Sequence, residues 1–302
     1  MHAMFVDCTE ELARVIEARK LTVPDAVTIN LGNPTEADII AMGATAEVLF
    51  VEHTVIPPRI LDACPSVRAI IFMGTGAGTY VDLEDAARRG VDVYTTPGYG
   101  DRAVAEHAFA LMFSAARRIA EMDRQIRAGV WSPVGGLQLM GRKIAVLGMG
   151  GIGTCMADLA AGIGMKVAAW NRTGRDHPAY VPDIDDALRD ATVVSLHLSL
   201  NAETSGILDL RRLQLPARGY ILVNTARADL IDQAALLRML ADGRIGHAAL
   251  DVFPREPLPK ANPYVSASNV TLTAHAAYMT DDAYAELWLR TIGRYNELKP
   301  SI

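Results

Sequence analysis

The chain has 302 residues, half of them hydrophobic and 21% charged; this composition sustains globular cores, and at roughly 150 residues per domain the length predicts two domains. The formal net charge of -6 excludes the basic balance that nucleic acid or an anionic membrane surface asks for, and no apolar stretch approaches the roughly 20 residues of a membrane span. The N-terminus, MHAMFVDCTEELARV, turns charged too soon for a signal peptide, and Cys8, Cys64 and Cys155 are too far apart for a disulfide framework or a metal cluster, so the expectation is a cytoplasmic protein without metal whose cysteines are small buried hydrophobes.

Short β-branched runs alternate with helical patterns along almost the whole chain. Strands are expected at 26–30, 46–51, 67–73 and 91–96, with helices at 10–20 and 83–90. Pro97-Gly98-Tyr99-Gly100 interrupts this alternation and marks a domain boundary near residue 100. One long helix is expected next, at 102–129, because Ala105, Phe109, Met112, Phe113, Ala116 and Ile119 recur at helical spacing. The Pro/Gly-rich stretch 131–141 connects it to a second series of strands at 143–148, 166–171, 192–198, 220–226, 247–253 and 270–274, with a helix at 233–243 and a last one at 280–298. Strands that alternate with helices and read as continuous apolar runs belong to parallel sheets covered on both faces. The fold class is therefore α/β, with two doubly wound parallel sheets.

The strand at 143–148 runs into Gly148-x-Gly150-x-x-Gly153 and then a helical pattern. In that context the glycines have separate uses: a tight turn at Gly148, close approach of a pyrophosphate at Gly150, close helix–strand packing at Gly153. The helix start supplies amides and a partial positive charge for phosphate. This predicts a bound dinucleotide, held at Gly148, Gly150, Gly151, Ile152 and Gly153. The next strand ends in Asn171, where a carboxylate usually holds the adenosine ribose, and Arg172, Thr173 and Arg175 follow. Without the carboxylate a 2′-phosphate is not repelled, and Arg172 offers it a planar fork, so NADP(H) is favoured over NAD(H). The plainer reading leaves Arg172 solvated or stacked on adenine.

Three polar residues follow strands of the second series: Arg227 after YILVNTA, Glu256 in PREPLP and His275 after NVTLTA. Taken singly, each is ordinarily a surface or structural residue. Ligands of doubly wound sheets sit beyond the carboxyl ends of the strands, however, which is where all three fall.

The motifs VNTAR, DVFPREP and TAHAA, in that order after the glycine fingerprint, resemble the D-isomer-specific 2-hydroxyacid dehydrogenases, as do the stretches AVAEHAFALM and LMGRKIAVLGMGGIG. The resemblance covers about residues 67–298. It implies two Rossmann/flavodoxin-like domains with a cleft between them: a substrate domain of 1–100 plus 279–302, and a dinucleotide-binding domain of 101–278. It also implies a homodimer, built through the long helix. The implied activity moves a hydride between NAD(P)H and a small 2-oxo or 2-hydroxy acid. Arg227 pairs bidentately with the substrate carboxylate, His275 gives or takes the proton, and Glu256 holds the imidazole in one tautomer. Ala226 and Asp251 join the cofactor set, Asp251 near the nicotinamide amide or, equally, as a cap of the turn that follows it.

The family's substrate loop corresponds to GTGAGTYVDL. Counting back from Asp82 places Gly76 and Ala77 at the amide positions, whereas matching glycine to glycine places them elsewhere. The proline usual before the histidine is Ala274 here. A Glu partner for His275 argues against a formate enzyme, and no extra C-terminal domain follows, so a glyoxylate- or hydroxypyruvate-type reductase is favoured. The alternative is a nucleotide-sensing, corepressor-like binding protein on the same fold. His53 reads as a solvated loop residue, His107 and His197 as packing residues, and Tyr284 and Trp288 as core or interface.

Overall fold

The computed structural model describes residues 1–298; positions 299–302, the end of the expected substrate domain, lie outside the described residues. The chain divides into two compact units, one comprising Met1–Gly100 and the chain from Met279 onward, the other Asp101–Tyr278.

The first unit runs β1 (Ala3–Cys8), α1 (Glu10–Ala18), β2 (Val27–Leu31), α2 (Glu36–Gly43), β3 (Val48–Val51), α3 (Pro58–Ala63), β4 (Ala69–Phe72), α4 (Leu83–Arg88) and β5 (Asp92–Thr95). Its sheet is parallel, in the order β2-β1-β3-β4-β5. The expected strands began at residue 26, yet β1 lies inside the sheet and is buried at all six positions. Its sequence, AMFVDC, holds a single β-branched residue, which is why the run carries little strand signal. Met4, Val6, Leu49, Val51, Ile70 and Phe72 turn to one face, where Ile39, Ile60 and Leu61 of α2 and α3 cover them.

The second unit runs α5 (Asp101–Ala116), α6 (Ile119–Arg127), β6 (Lys143–Leu147), α7 (Gly151–Gly162), β7 (Lys166–Trp170), α8 (Ile184–Leu188), β8 (Val193–Leu196), β9 (Tyr220–Asn224), α9 (Gln233–Ala241), β10 (Ile245–Leu250), α10 (Pro263–Ser266) and β11 (Val270–Leu272). The parallel order is β11-β10-β9-β8-β6-β7. Beyond β7 a further strand is reduced to one bridge, Ala169 to Tyr180. Each strand alternates between two cores. Ala145, Leu147, Val194 and Leu196 meet α8 and α9, while Ile144, Val146 and Val193 meet α5 and α7. A sheet buried on both faces explains the continuous apolar runs.

The helix expected at 102–129 is broken. Arg118 adopts φ 54, in the left-handed region, between α5 and α6, and its guanidinium pairs with Glu121. The Ala116 carbonyl, freed by the break, accepts the Leu137 amide at 2.7 Å. The connection 131–141 thus folds back onto the helix end and satisfies a group that a continuous helix would have used.

The final helix, α11 (Asp281–Leu298), packs on the first unit. Trp288, fully buried, stacks on Phe5 at 6.2 Å and meets Phe50 edge-on at 6.4 Å, which makes it a core residue. Cys8 and Cys64 are buried as expected, but Cys155 on α7 is only half-buried, at the margin of the α5–α7 core. Among the described residues, no helix is long and apolar enough to cross a membrane.

Candidate active site

The turn from β6 into α7 is built on the glycines. Gly148 has φ 101, and a Cβ there would lie 2.5 Å from the His197 carbonyl; only glycine fits. A Cβ on Gly153 would lie 1.8 Å from the Gly148 carbonyl, and one on Gly151 would lie 1.6 Å from an Asp101 carboxylate oxygen. Gly150, the N-cap of α7, is different: nothing stands within 4 Å of its Cβ position. The approach to the first amides of a 12-residue helix is therefore open, the arrangement a pyrophosphate needs. Ile152 packs partly into the α5–α7 core. His197 pairs with Ser195 at 2.8 Å, and its enclosure lowers its pKa to about 4, as for a packing histidine.

Asn171 closes the same loop. Its Oδ1 accepts the Met149 amide at 3.0 Å, and its Nδ2 donates to Thr173. Arg172 is exposed, and its guanidinium is held by Glu203 rather than standing open. A 2′-phosphate at this arginine has a carboxylate to displace.

β9, β10 and β11 are neighbours in register, with Leu250 opposite both Asn224 and Leu272. Their carboxyl ends therefore lie side by side, and Arg227, Asp251, Glu256 and His275 all issue from them. The buried Asn224 side chain shapes the first end, accepting the Ala226 amide at 3.0 Å and donating to the Arg227 carbonyl at 2.9 Å. Arg227 is exposed, donates to the Ala226 carbonyl, and has no carboxylate partner among the described residues. His275 Nδ1 lies 2.7 Å from Glu256 Oε2, while Glu256 Oε1 accepts the Phe253 amide at 2.8 Å. The carboxylate is oriented by backbone on one side and orients the imidazole on the other. His275 itself sits at φ 52.

Asp251 does not cap the turn that follows it, one of the two expectations for it. The carboxylate is fully buried and is occupied by the His275 loop on the neighbouring strand, not by the turn that follows it. It accepts the Thr273 hydroxyl at 2.5 Å and the Ala276 and Ala277 amides at 3.0 Å each. His107, expected to be a packing residue, reaches this group from α5: its Nε2 is 3.1 Å from Thr273 Oγ1 and 3.6 Å from Asp251 Oδ1. No sequence signal singles it out, because Thr273 is 166 residues away.

In the first unit, Gly76 caps the short 3-10 turn Ala77–Thr79 at φ -107, and Ala77 is buried with its carbonyl taken by Tyr80 and Val81. Two carboxylates gather at the ends of β1 and β3. Asp7 accepts the amides of Glu52, His53 and Thr54. Glu52 accepts from Thr9, and burial pushes its carboxyl up to about 7. His53 stands beside Glu52 at 3.9 Å.

Residues 109–277 match the family described as D-isomer specific 2-hydroxyacid dehydrogenase, NAD binding domain. The glyoxylate reductase of Korarchaeum cryptofilum (strain OPF8) is 36% identical over 234 residues, spanning 74% of this chain and 70% of that protein. The TT0316 protein from Thermus thermophilus has a similar structure, with a TM-score of 0.83 at 30% identity, covering 96% of this chain and 94% of that one. An acyclic imino acid reductase in complex with NADPH and D-Arg gives a TM-score of 0.84 at 26% identity, covering 100% and 98%.

Proposed function

The chain belongs to the D-isomer specific 2-hydroxyacid dehydrogenase family, an oxidoreductase family, and on that premise we propose a reductase of small 2-oxo acids, glyoxylate or hydroxypyruvate by preference, with His275 and Glu256 as its acid–base pair. The observation that carries this reading is the 2.7 Å contact between His275 Nδ1 and a Glu256 oxygen, with the other oxygen fixed by the Phe253 amide.

The open N-terminus of α7 at Gly150 fits a nicotinamide dinucleotide, with Gly148, Gly151, Ile152, Gly153, Asn171, Arg172, Thr173, Ala226 and, near the nicotinamide amide, Asp251 as the residues that hold it. When bound, the dinucleotide supplies or accepts the hydride. Arg227 binds the substrate carboxylate through a guanidinium that carries no other carboxylate among the described residues, and its charge polarises the adjacent carbonyl. Glu256 takes up Nδ1, which leaves Nε2 to protonate the carbonyl oxygen during reduction and to deprotonate the hydroxyl during oxidation. The glutamate also stabilises the imidazolium that oxidation produces. In the first unit, read as the substrate domain, Gly76 and Ala77 offer backbone to the carboxylate.

NADP(H) is the favoured cofactor because Asn171 stands in the ribose position and Arg172 beside it. A cytoplasmic homodimer completes the proposal; the exposed Ile119, Ile126, Val130 and Trp131 on and just after α6 support its dimeric part. The test is oxidation of NADPH and of NADH, followed at the nicotinamide absorbance, with glyoxylate, hydroxypyruvate, pyruvate and phenylpyruvate. Turnover of the two smallest polar acids with NADPH is the expected result. Cofactor binding with no turnover of any acid would refute the reading.

A further inference from the structure

Asp251 organises the loop that carries His275. Thr273, Ala276 and Ala277 all donate to its carboxylate, and the His275 amide donates to its carbonyl at 2.8 Å. Four of the five residues from 273 to 277 are thus tied to one aspartate. The loop needs such ties, since His275 holds a left-handed conformation that a residue with a side chain adopts only when its surroundings impose it.

The direction of the remaining hydrogen bonds follows from proton counting. A threonine hydroxyl has one proton, and an ionised carboxylate only accepts. At 2.5 Å from Asp251 Oδ1, Thr273 Oγ1 donates to the carboxylate. Its contact with His107 Nε2 at 3.1 Å is then one in which the hydroxyl accepts and the imidazole donates. His107 therefore carries its proton on Nε2 and sets the rotor of Thr273. Asp251 is fully buried, and Nε2 of this same histidine lies 3.6 Å from its Oδ1.

We propose that His107 is a positioning residue for the acid–base histidine: by donating to Thr273 it fixes the hydroxyl toward Asp251, and so holds residues 273–277 in the conformation that sets His275 against Glu256. The proposal rests on the assignment of His275 as the acid–base group. It separates two functions on α5, whose apolar face packs the core while His107 tensions the loop from the side.

The experiment compares His107→Ala, His107→Met and His107→Gln in the full-length protein, with His275→Ala as reference. Methionine fills the space without a donor, whereas the glutamine amide donates from nearly the position of Nε2. The expected result is a kcat lowered roughly 10- to 100-fold in the alanine and methionine variants, near-wild-type kcat in the glutamine variant, and cofactor affinity unchanged in all three. Where a His107 variant does not fold, Thr273→Val serves, since it removes the hydroxyl and keeps the shape; it is expected to lose as much kcat. In the double variant Thr273→Val/His107→Met the losses are not expected to add. Wild-type kcat in His107→Met, or a glutamine variant no better than methionine, would overturn the proposal while leaving an inactive His275→Ala to support the underlying assignment. Wild-type turnover in His275→Ala would overturn the assignment and this proposal together.

Discussion

Glu256 divides its carboxylate between the Phe253 amide and His275 Nδ1, so the imidazole is oriented by a group that is itself anchored to backbone. A side chain 41% exposed would otherwise sample several rotamers. The pair fixes one ring orientation and one tautomer, and that is what a proton donor aimed at a single oxygen needs.

Glu256→Gln tests the charge in that arrangement. The amide oxygen still accepts from Phe253, but the group facing Nδ1 becomes a donor and the counter-charge for the imidazolium is gone. A fall in kcat of roughly 10- to 100-fold with little change in cofactor affinity is expected. Unchanged kcat in steady-state assays would show that the contact is not used in turnover.

The glycines divide into two kinds, and substitution separates them. Gly153→Ala places a methyl 1.8 Å from the Gly148 carbonyl, so the β6–α7 packing must open, at a cost of about 1–3 kcal/mol or more. Thermal melts are expected to show that loss. Gly150→Ala has open space around it and φ -76. It is expected to melt like the wild type but to bind NADPH more weakly, as titration of the cofactor's fluorescence will show. Equal melting losses in both variants would contradict the distinction.

Arg172 is held by Glu203, and under the proposed preference for NADP(H) this pair is where that preference can be adjusted. Glu203→Gln frees the guanidinium and is expected to lower the KM for NADPH while leaving that for NADH unchanged. Asn171→Asp with Arg172→Asp is expected to reverse the preference. Identical NADPH-to-NADH ratios across all three proteins would remove Arg172 from the account.

The two units are expected to respond to pH in opposite directions. Burial raises the Glu52 carboxyl from 4.5 to about 7, so the folded first unit holds a proton that the unfolded chain releases. Its stabilising contribution is complete below pH 4.5 and is lost as pH rises through about 7, a change of about 3 kcal/mol at most. In the second unit burial, aided by Arg118, lowers His247 from 6.5 to about 4. That contribution is present above 6.5 and is lost as pH falls through about 4. Glu52→Gln is therefore expected to raise the melting temperature at pH 8 relative to the wild type and not at pH 4, and His247→Gln to flatten the acid side. Parallel melting curves against pH for wild type and Glu52→Gln would contradict this.

Much of the site was legible because its chemistry is written in local strings. VNTAR, DVFPREP and TAHAA each follow an apolar strand, and parallel strands put their carboxyl ends together. The fingerprint was readable for the same reason, since its glycines answer to contacts within one βα turn. What the sequence hid depends on distant partners. Arg118 ends α5 without a glycine or proline to mark it, and the Ala116 carbonyl that the break frees is satisfied by Leu137, a partner distant in sequence. β1 escaped because its burial comes from helices on both sides, including Trp288 at the far end of the chain. His107 kept a helical pattern while its side chain served a loop beyond β11. Asp251 reads locally as a cap of the turn after it, whereas its carboxylate holds the adjacent strand's loop.

The most direct test of the account is the turnover of His275→Ala, measured beside its affinity for NADPH. The account predicts a loss of roughly 10²- to 10⁴-fold in 2-oxo acid reduction, the usual range for removing a positioned proton donor, with cofactor binding intact. Wild-type turnover in that variant would contradict it.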